Sequence, residues 1–137
     1  MSNPGPATTT NTPLSNVSSN QACRLLAVLT GVNLNVVGDN VMQLISTSKF
    51  SVFQVVLTNA SINLTTSACS VYTAPAAGGT ALVANAVMTG MTGSTIVDQR
   101  TVASTAVVSQ DKIYFRVGTA QGAAATCDVR VFGYALD

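Results

Sequence analysis

Of the 137 residues only 8% are Asp, Glu, Lys or Arg, against ~25% in an ordinary globular chain, while 47% are hydrophobic and the net charge is +1. Six scattered basic residues exclude a phosphate-tracking patch, and the absence of His and Glu excludes Ser-His-Asp and Cys-His catalysis, the common zinc sites and a paired-Glu hydrolase. What remains is a surface made of Ser, Thr, Asn, Gln and small apolar groups, with little charge repulsion to hold molecules apart.

Residues 1–21 form a segment of their own. They hold three of the four prolines, Pro4, Pro6 and Pro13, and are otherwise Thr, Ser, Asn and Gly, with Leu14 and Val17 as the only candidates for apolar contact. Such a stretch buries too little to offset its ordering entropy, so it is expected to be an extended or disordered N-terminal arm. Pro4, Pro6, Pro13, Leu14 and Val17 are the residues expected to meet a partner, the prolines holding the arm extended. Met1 to Ser15 has neither a basic stretch nor an apolar run, so no signal peptide is expected. No apolar run approaches the ~18–20 residues of a membrane helix.

Residues 22–137 read as one β domain. Val, Ile, Thr, Phe and Tyr are abundant and turn signals recur. Leu25–Leu29 and Val32–Val37 are the first candidate strands, followed by a turn at Gly38-Asp39-Asn40 and a strand at Val41–Ile45. Phe50–Leu57 is the strongest apolar run and is expected to be a central strand buried on both faces. A short strand at Ser61–Thr65 follows the Asn59-Ala60-Ser61 turn. Cys69–Thr73 and Ala81–Ala86 flank Pro75 to Gly79 as a hairpin. After a loop with Gly90 and Gly93 come Val102–Val108, Lys112–Val117 and Thr126–Tyr134. Ala22–Leu29 and Ala81–Val87 also fit short helices by spacing, but their β surroundings favour strands.

The last two strands alternate strictly. Ile113, Phe115 and Val117 share one face, as do Cys127, Val129 and Val131, so each strand has one dry face. If the two pair through Gly118–Ala125, the charges of Lys112, Arg116, Asp128 and Arg130 meet across the outer face. The whole pattern is all-β and fits a two-sheet antiparallel β-sandwich, jelly-roll-like, with edges so poor in charge that they invite covering by other subunits.

Chemistry-bearing constellations are scarce, and no enzyme activity, cofactor, metal or small-molecule substrate is expected. Asp98-Gln99-Arg100 and Asp111-Lys112 read as loop charges, solvated or locally paired. Gly118 to Gly122 lacks the Lys-Ser/Thr of a phosphate loop, and the isolated Asp residues do not make a calcium loop. Cys23, Cys69 and Cys127 read as small buried thiols, although one disulfide with a free thiol stays open. Of the aromatics, only Tyr114, Phe132 and Tyr134 are candidates for an exposed stacking platform.

Two segments, Val55 to Val83 and Ile113 to Tyr134, with their Ala/Thr/Gly-rich strands and turns, resemble the small cement or decoration proteins of tailed bacteriophage heads. The resemblance is one of texture, covers the middle and last parts of the sandwich, and transfers no residue role. It implies a structural protein of the virion that sits on the capsid exterior, clamps neighbouring major capsid proteins, and is itself a homodimer or homotrimer. It further implies synthesis in the host bacterial cytoplasm, with no nucleic acid or membrane as partner. A receptor-binding module for cell-surface glycans and a tail or neck ring subunit are the competing expectations.

Overall fold

Alternating β-branched and aromatic residues give strands with one dry face, and two sets of dry faces close on each other to make the core of this protein. The computed structural model describes residues 23–137. The expected arm, with Pro4, Pro6, Pro13, Leu14 and Val17, lies outside the described residues. Among them there is no helix, and nine strands run in the order β1 Arg24–Asn33, β2 Gly38–Gln43, β3 Lys49–Thr58, β4 Ala68–Ala74, β5 Gly78–Val87, β6 Asp98–Arg100, β7 Val108–Ser109, β8 Lys112–Thr119 and β9 Thr126–Ala135. They form a five-stranded sheet of order β1-β9-β3-β6, with β7 also on β3, and a four-stranded sheet of order β2-β8-β4-β5. All pairings are antiparallel.

The two inner faces meet in one continuous cluster. Phe50, Val55 and Leu57 come from β3, Met42 from β2, Ile113, Phe115 and Val117 from β8, and Cys127, Val129 and Val131 from β9. The alternation expected for β8 and β9 is therefore present, with Tyr114, Arg116, Asp128 and Arg130 half-buried on the other faces. Loops close the open ends of the core. Met88 and Met91 are fully buried, and the loop that carries them is tied down by Met88 N–H to Ser67 C=O at 3.0 Å and Leu64 N–H to Met91 C=O at 2.8 Å.

Several expectations need correction. β8 and β9 do not pair. β8 lies between β2 and β4, and β9 lies between β1 and β3 in the other sheet. Their dry faces oppose each other across the core, and the connection between them crosses from sheet to sheet. Alternation assigns a face to each strand but not a neighbour. The first turn falls at Leu34–Val37, and Gly38-Asp39-Asn40 starts β2. Asp39 is held extended there because its carboxylate accepts from Ala76 N–H at 2.7 Å and from Arg116 at 2.9 Å. Ser61–Thr65 is a loop that buries Leu64, and Val102–Val108 reduces to a single bridge between Val102 and Val83 plus β7. β3 is buried on both faces only at Val55–Leu57. Phe53, at a register shift between Val52 and Gln54, is exposed at 57%. The β4–β5 hairpin forms as expected, with its reversal at Pro75 to Ala77. Neither helical alternative occurs where the structure is described: β1 runs from Arg24, and β5 covers Ala81–Val87.

Candidate functional site: the outer faces and edges

The charged side chains are the first clue to what this surface does, because most of them are turned to the chain's own use. Arg100 is 9% exposed. It donates to the carbonyls of Ala86 at 2.9 Å and Val87 at 3.3 Å and pairs with Asp98 at 3.1 Å. It thereby ties β6, at the edge of one sheet, to β5, at the edge of the other. The Asp98-Gln99-Arg100 segment is thus locally paired, as one reading of the sequence had it, but it is a strand and its arginine is buried, which corrects the expectation of a loop. Arg24 donates to the carbonyls of Ile45 at 3.0 Å and Ser46 at 3.3 Å. Arg130 donates to Thr58 Oγ1 at 2.6 Å. Asp128 accepts from Gly31 N–H at 2.8 Å and Asn59 Nδ2 at 3.3 Å.

Asp137 closes the set by accepting from Thr47 Oγ1 at 2.5 Å, Ser48 N–H at 2.7 Å and Ser48 Oγ at 3.0 Å. Those hydrogen bonds stabilise its charged form, Thr47 first, and hold its carboxyl down at about 2. The carboxyl of Asp39 is lowered as well, first by the Ala76 N–H and then by Arg116. Four arginines and four aspartates, out of six basic and five acidic residues, thus act as internal ties.

What this leaves outside is a surface of Ser, Thr, Asn and Gln set with exposed apolar side chains. Val97 is 67% exposed, Val36 60%, Phe53 57%, Val107 55%, Val41 53% and Val37 51%. Single exposed apolar residues are ordinary, whereas groups of them mark contact surfaces. Two groups can be placed by register. On the outer face of the five-stranded sheet, Phe132 lies between Leu25 of β1 and Gln54 of β3, and Tyr134 sits opposite Ser51. The Phe53 ring stands edge-on to Tyr134, with centroids 6.1 Å apart and planes at 68°. Phe53 also borders a shallow hollow of ≈ 460 Å³ with Gln99, Arg100, Thr101 and Val102. The second group, Val37, Val41 and Ile45, runs along β2 and its flanks.

The three aromatics expected to form a platform are not brought together. Tyr114 belongs to the four-stranded sheet, while Phe132 and Tyr134 belong to the other. Phe53 takes the vacant place, and the sequence reading missed it because the apolar run Phe50–Leu57 reads as buried on both faces. Cys69 and Cys127 are buried as expected, but Cys23 is exposed, because it precedes the first ladder residue of β1. Burial pushes the Cys69 thiol up to about 11 and the Cys127 thiol to about 12, so neither is a ready nucleophile.

Among the described residues no group of three or more His, Cys, Asp or Glu is placed to hold a metal ion. No helix there is long and apolar enough to cross a membrane. No family model, curated protein or solved structure matches this chain.

Proposed function

We propose that this chain is a structural cement protein, a jelly roll that decorates the exterior of a tailed-phage head and clamps neighbouring major capsid proteins. The jelly-roll reading draws on the nesting of the pairs. β1 pairs with β9, β2 with β8, β3 with β6 and β4 with β5. One long antiparallel hairpin of eight strands, rolled over on itself, yields those four pairs, and the roll then sets β9 beside β3 and β8 beside β4. The small β7 is an addition at the end of β3.

The observation that carries the functional reading is the engagement of most charged side chains in hydrogen bonds within the chain, together with the outward display of Phe53, Tyr134 and the valines. A cement protein works by covering area in many copies, and this suits a surface that offers contact and little repulsion. The major capsid protein and a second or third copy of this chain are the partners of this reading, with residues 1–21 reaching along the shell as an arm. The test mixes the full chain, and a chain lacking residues 1–21, with expanded empty heads of tailed phages and sediments the heads. The full chain is expected to pellet with them. The shortened one is expected to bind more weakly while melting at the same temperature. Heads that leave the full chain in the supernatant contradict the cement role, and equal binding of both contradicts the role of the arm.

The edge-on pair of Phe53 and Tyr134 favours one competing reading, a receptor-binding module whose aromatics stack on a sugar. Binding of the isolated protein to a glycan array, lost in Phe53→Ser, distinguishes it.

A further inference from the structure

The edges of the two sheets are not alike. β5 has three register shifts against β4 and starts with Gly78-Gly79. β6 and β7 are three and two residues long. β1 has two register shifts, and Ile45 N–H already donates to its Leu26 carbonyl at 2.8 Å. These are the devices that keep a strand edge from pairing with another chain. β2 has none of them. It is six residues long, pairs with β8 throughout without a shift, and contains no proline or lysine.

The direction of its free groups follows from the ladder. Leu44 N–H donates to Asp111 C=O at 2.8 Å, continuing the β2–β8 register. Residues alternate in an antiparallel ladder, so Met42 and Asn40 also point to β8. Asp39, Val41 and Gln43 then point their N–H and C=O groups at the open edge. The side chains of the same positions, and of Val37 and Ile45 beyond them, are exposed, Val37 at 51%, Val41 at 53% and Ile45 at 40%.

We propose that β2 is a self-docking edge, and that two copies of this chain join through it as an isologous antiparallel pair centred on Val41. About that centre Val41 faces Val41 of the second copy, and Asp39 faces Gln43 of the second copy, so no like charges meet. The three residues that point outward each exchange main-chain hydrogen bonds with their partner, and the pairing stops short of Ile45, whose N–H is held by Leu26 of β1. The two four-stranded sheets become one continuous sheet. A two-fold axis of this kind closes on itself, so the product is a dimer and not a chain of copies. The dimer needs no capsid, so it stands apart from the cement reading: failure of head binding leaves it intact, and a monomeric chain leaves head binding to its own assay.

Two measurements on the full chain test it. Amide hydrogen exchange, followed from micromolar to millimolar concentration, is expected to show Asp39, Val41 and Gln43 gaining protection as the dimer forms. Sedimentation equilibrium is expected to give twice the 14.0 kDa chain mass for the parent chain and for Val97→Lys, whose exposed site lies away from β2. Val41→Pro removes one outward N–H from an edge, where proline is tolerated, and Val41→Lys sets two like charges face to face. Each is expected to weaken dimerisation by about tenfold or more, ~1.4 kcal/mol, with an unchanged thermal melt. Amides of β2 that stay unprotected at every concentration overturn the proposal, as does a dimer that survives both Val41 variants.

Discussion

The two long sides of this sandwich solve the same problem in opposite ways. Where β5 and β6 meet, strands are short or broken by register shifts, and buried Arg100 reaches across to hold one sheet to the other. Along β2 the strand is regular, its exposed side chains are Asp39, Val41 and Gln43, and its one charge, Asp39, is engaged by Ala76 and Arg116. One side is sealed by a buried charge, while the other is tied to β1 only past the end of β2, by Arg24 and Ile45, and leaves Asp39 to Gln43 for contact from without. With only eleven ionisable side chains of the basic and acidic kinds, six and five, charge engaged within the chain is charge withheld from partners at the surface. The charge-poor exterior and the ties within the chain are therefore two aspects of one composition.

The sealed side is where the comparison breaks most readily. Arg100→Met removes the tie, leaves the carbonyls of Ala86 and Val87 without their donor, and leaves Asp98 without its partner. Its Nε has no partner of its own, so that atom adds nothing to the loss. Removing one member of a buried, hydrogen-bonded pair costs ~3 kcal/mol at the lower end of such measurements, and chemical denaturation is expected to show about that drop. A second substitution sharpens the contrast on the inner side of the five-stranded sheet. Gly133 lies where β9 passes the register shift of β3, and a Cβ there would press on Ser51 O, Leu26 Cδ1 and Val52 Cα. Since backbone is part of the obstruction, Gly133→Ala is expected to lose ~1–3 kcal/mol in the same assay, as overpacked cores do.

The core between the two sides supplies a pH reference. Cys69 and Cys127 keep their protons to about 11 and about 12 when folded, while an unburied thiol has an ordinary value of 9.0. Above that value the unfolded chain binds fewer protons than the folded one, so stability is flat below about 9 and falls as the pH rises from there toward 11–12. The slope is ~1.4 kcal/mol per pH unit for each thiol. Denaturation midpoints measured between pH 8 and pH 11 are expected to follow it, with Cys127→Ala removing half of the slope. The smallest effect belongs to the exposed aromatic. Phe53→Ser takes away a ring that is 57% exposed and touches Tyr134 at its edge, so stability is expected to move by only ~0.5 kcal/mol. A loss of contact with partners at unchanged stability is what the reading of this face requires.

Much of the fold was legible in the residues. The β4–β5 hairpin announces itself through Pro75 to Gly79, and the dry faces of β8 and β9 through strict alternation. What alternation lacks is long-range information. Ile113, Phe115 and Val117 show a buried face, but nothing in them tells whether β9 lies beside β8 or across the core from it. Turn chemistry failed for a related reason. Gly38-Asp39-Asn40 has the composition of a reversal, yet Asp39 is fixed by Ala76 and Arg116, both remote in sequence. Leu34–Val37 makes the actual turn, where Leu34 N–H donates to Ala125 C=O at 2.9 Å, Gln121 N–H donates to Leu34 C=O at 2.9 Å and Asn35 N–H donates to Asn33 Oδ1 at 2.9 Å. The contact surface was legible only as a shortage of charge. That Phe53 faces outward is masked by an apolar run that reads as buried on both faces, and that β2 is the unguarded edge depends on which strands end up outermost.

The account depends most on the claim that this exterior is made to be covered. Sedimentation equilibrium of the intact chain, from micromolar to millimolar concentration at neutral pH, tests it directly. The account predicts a mass that rises to at least twice 14.0 kDa, while a particle that stays at the mass of one chain over that whole range contradicts it.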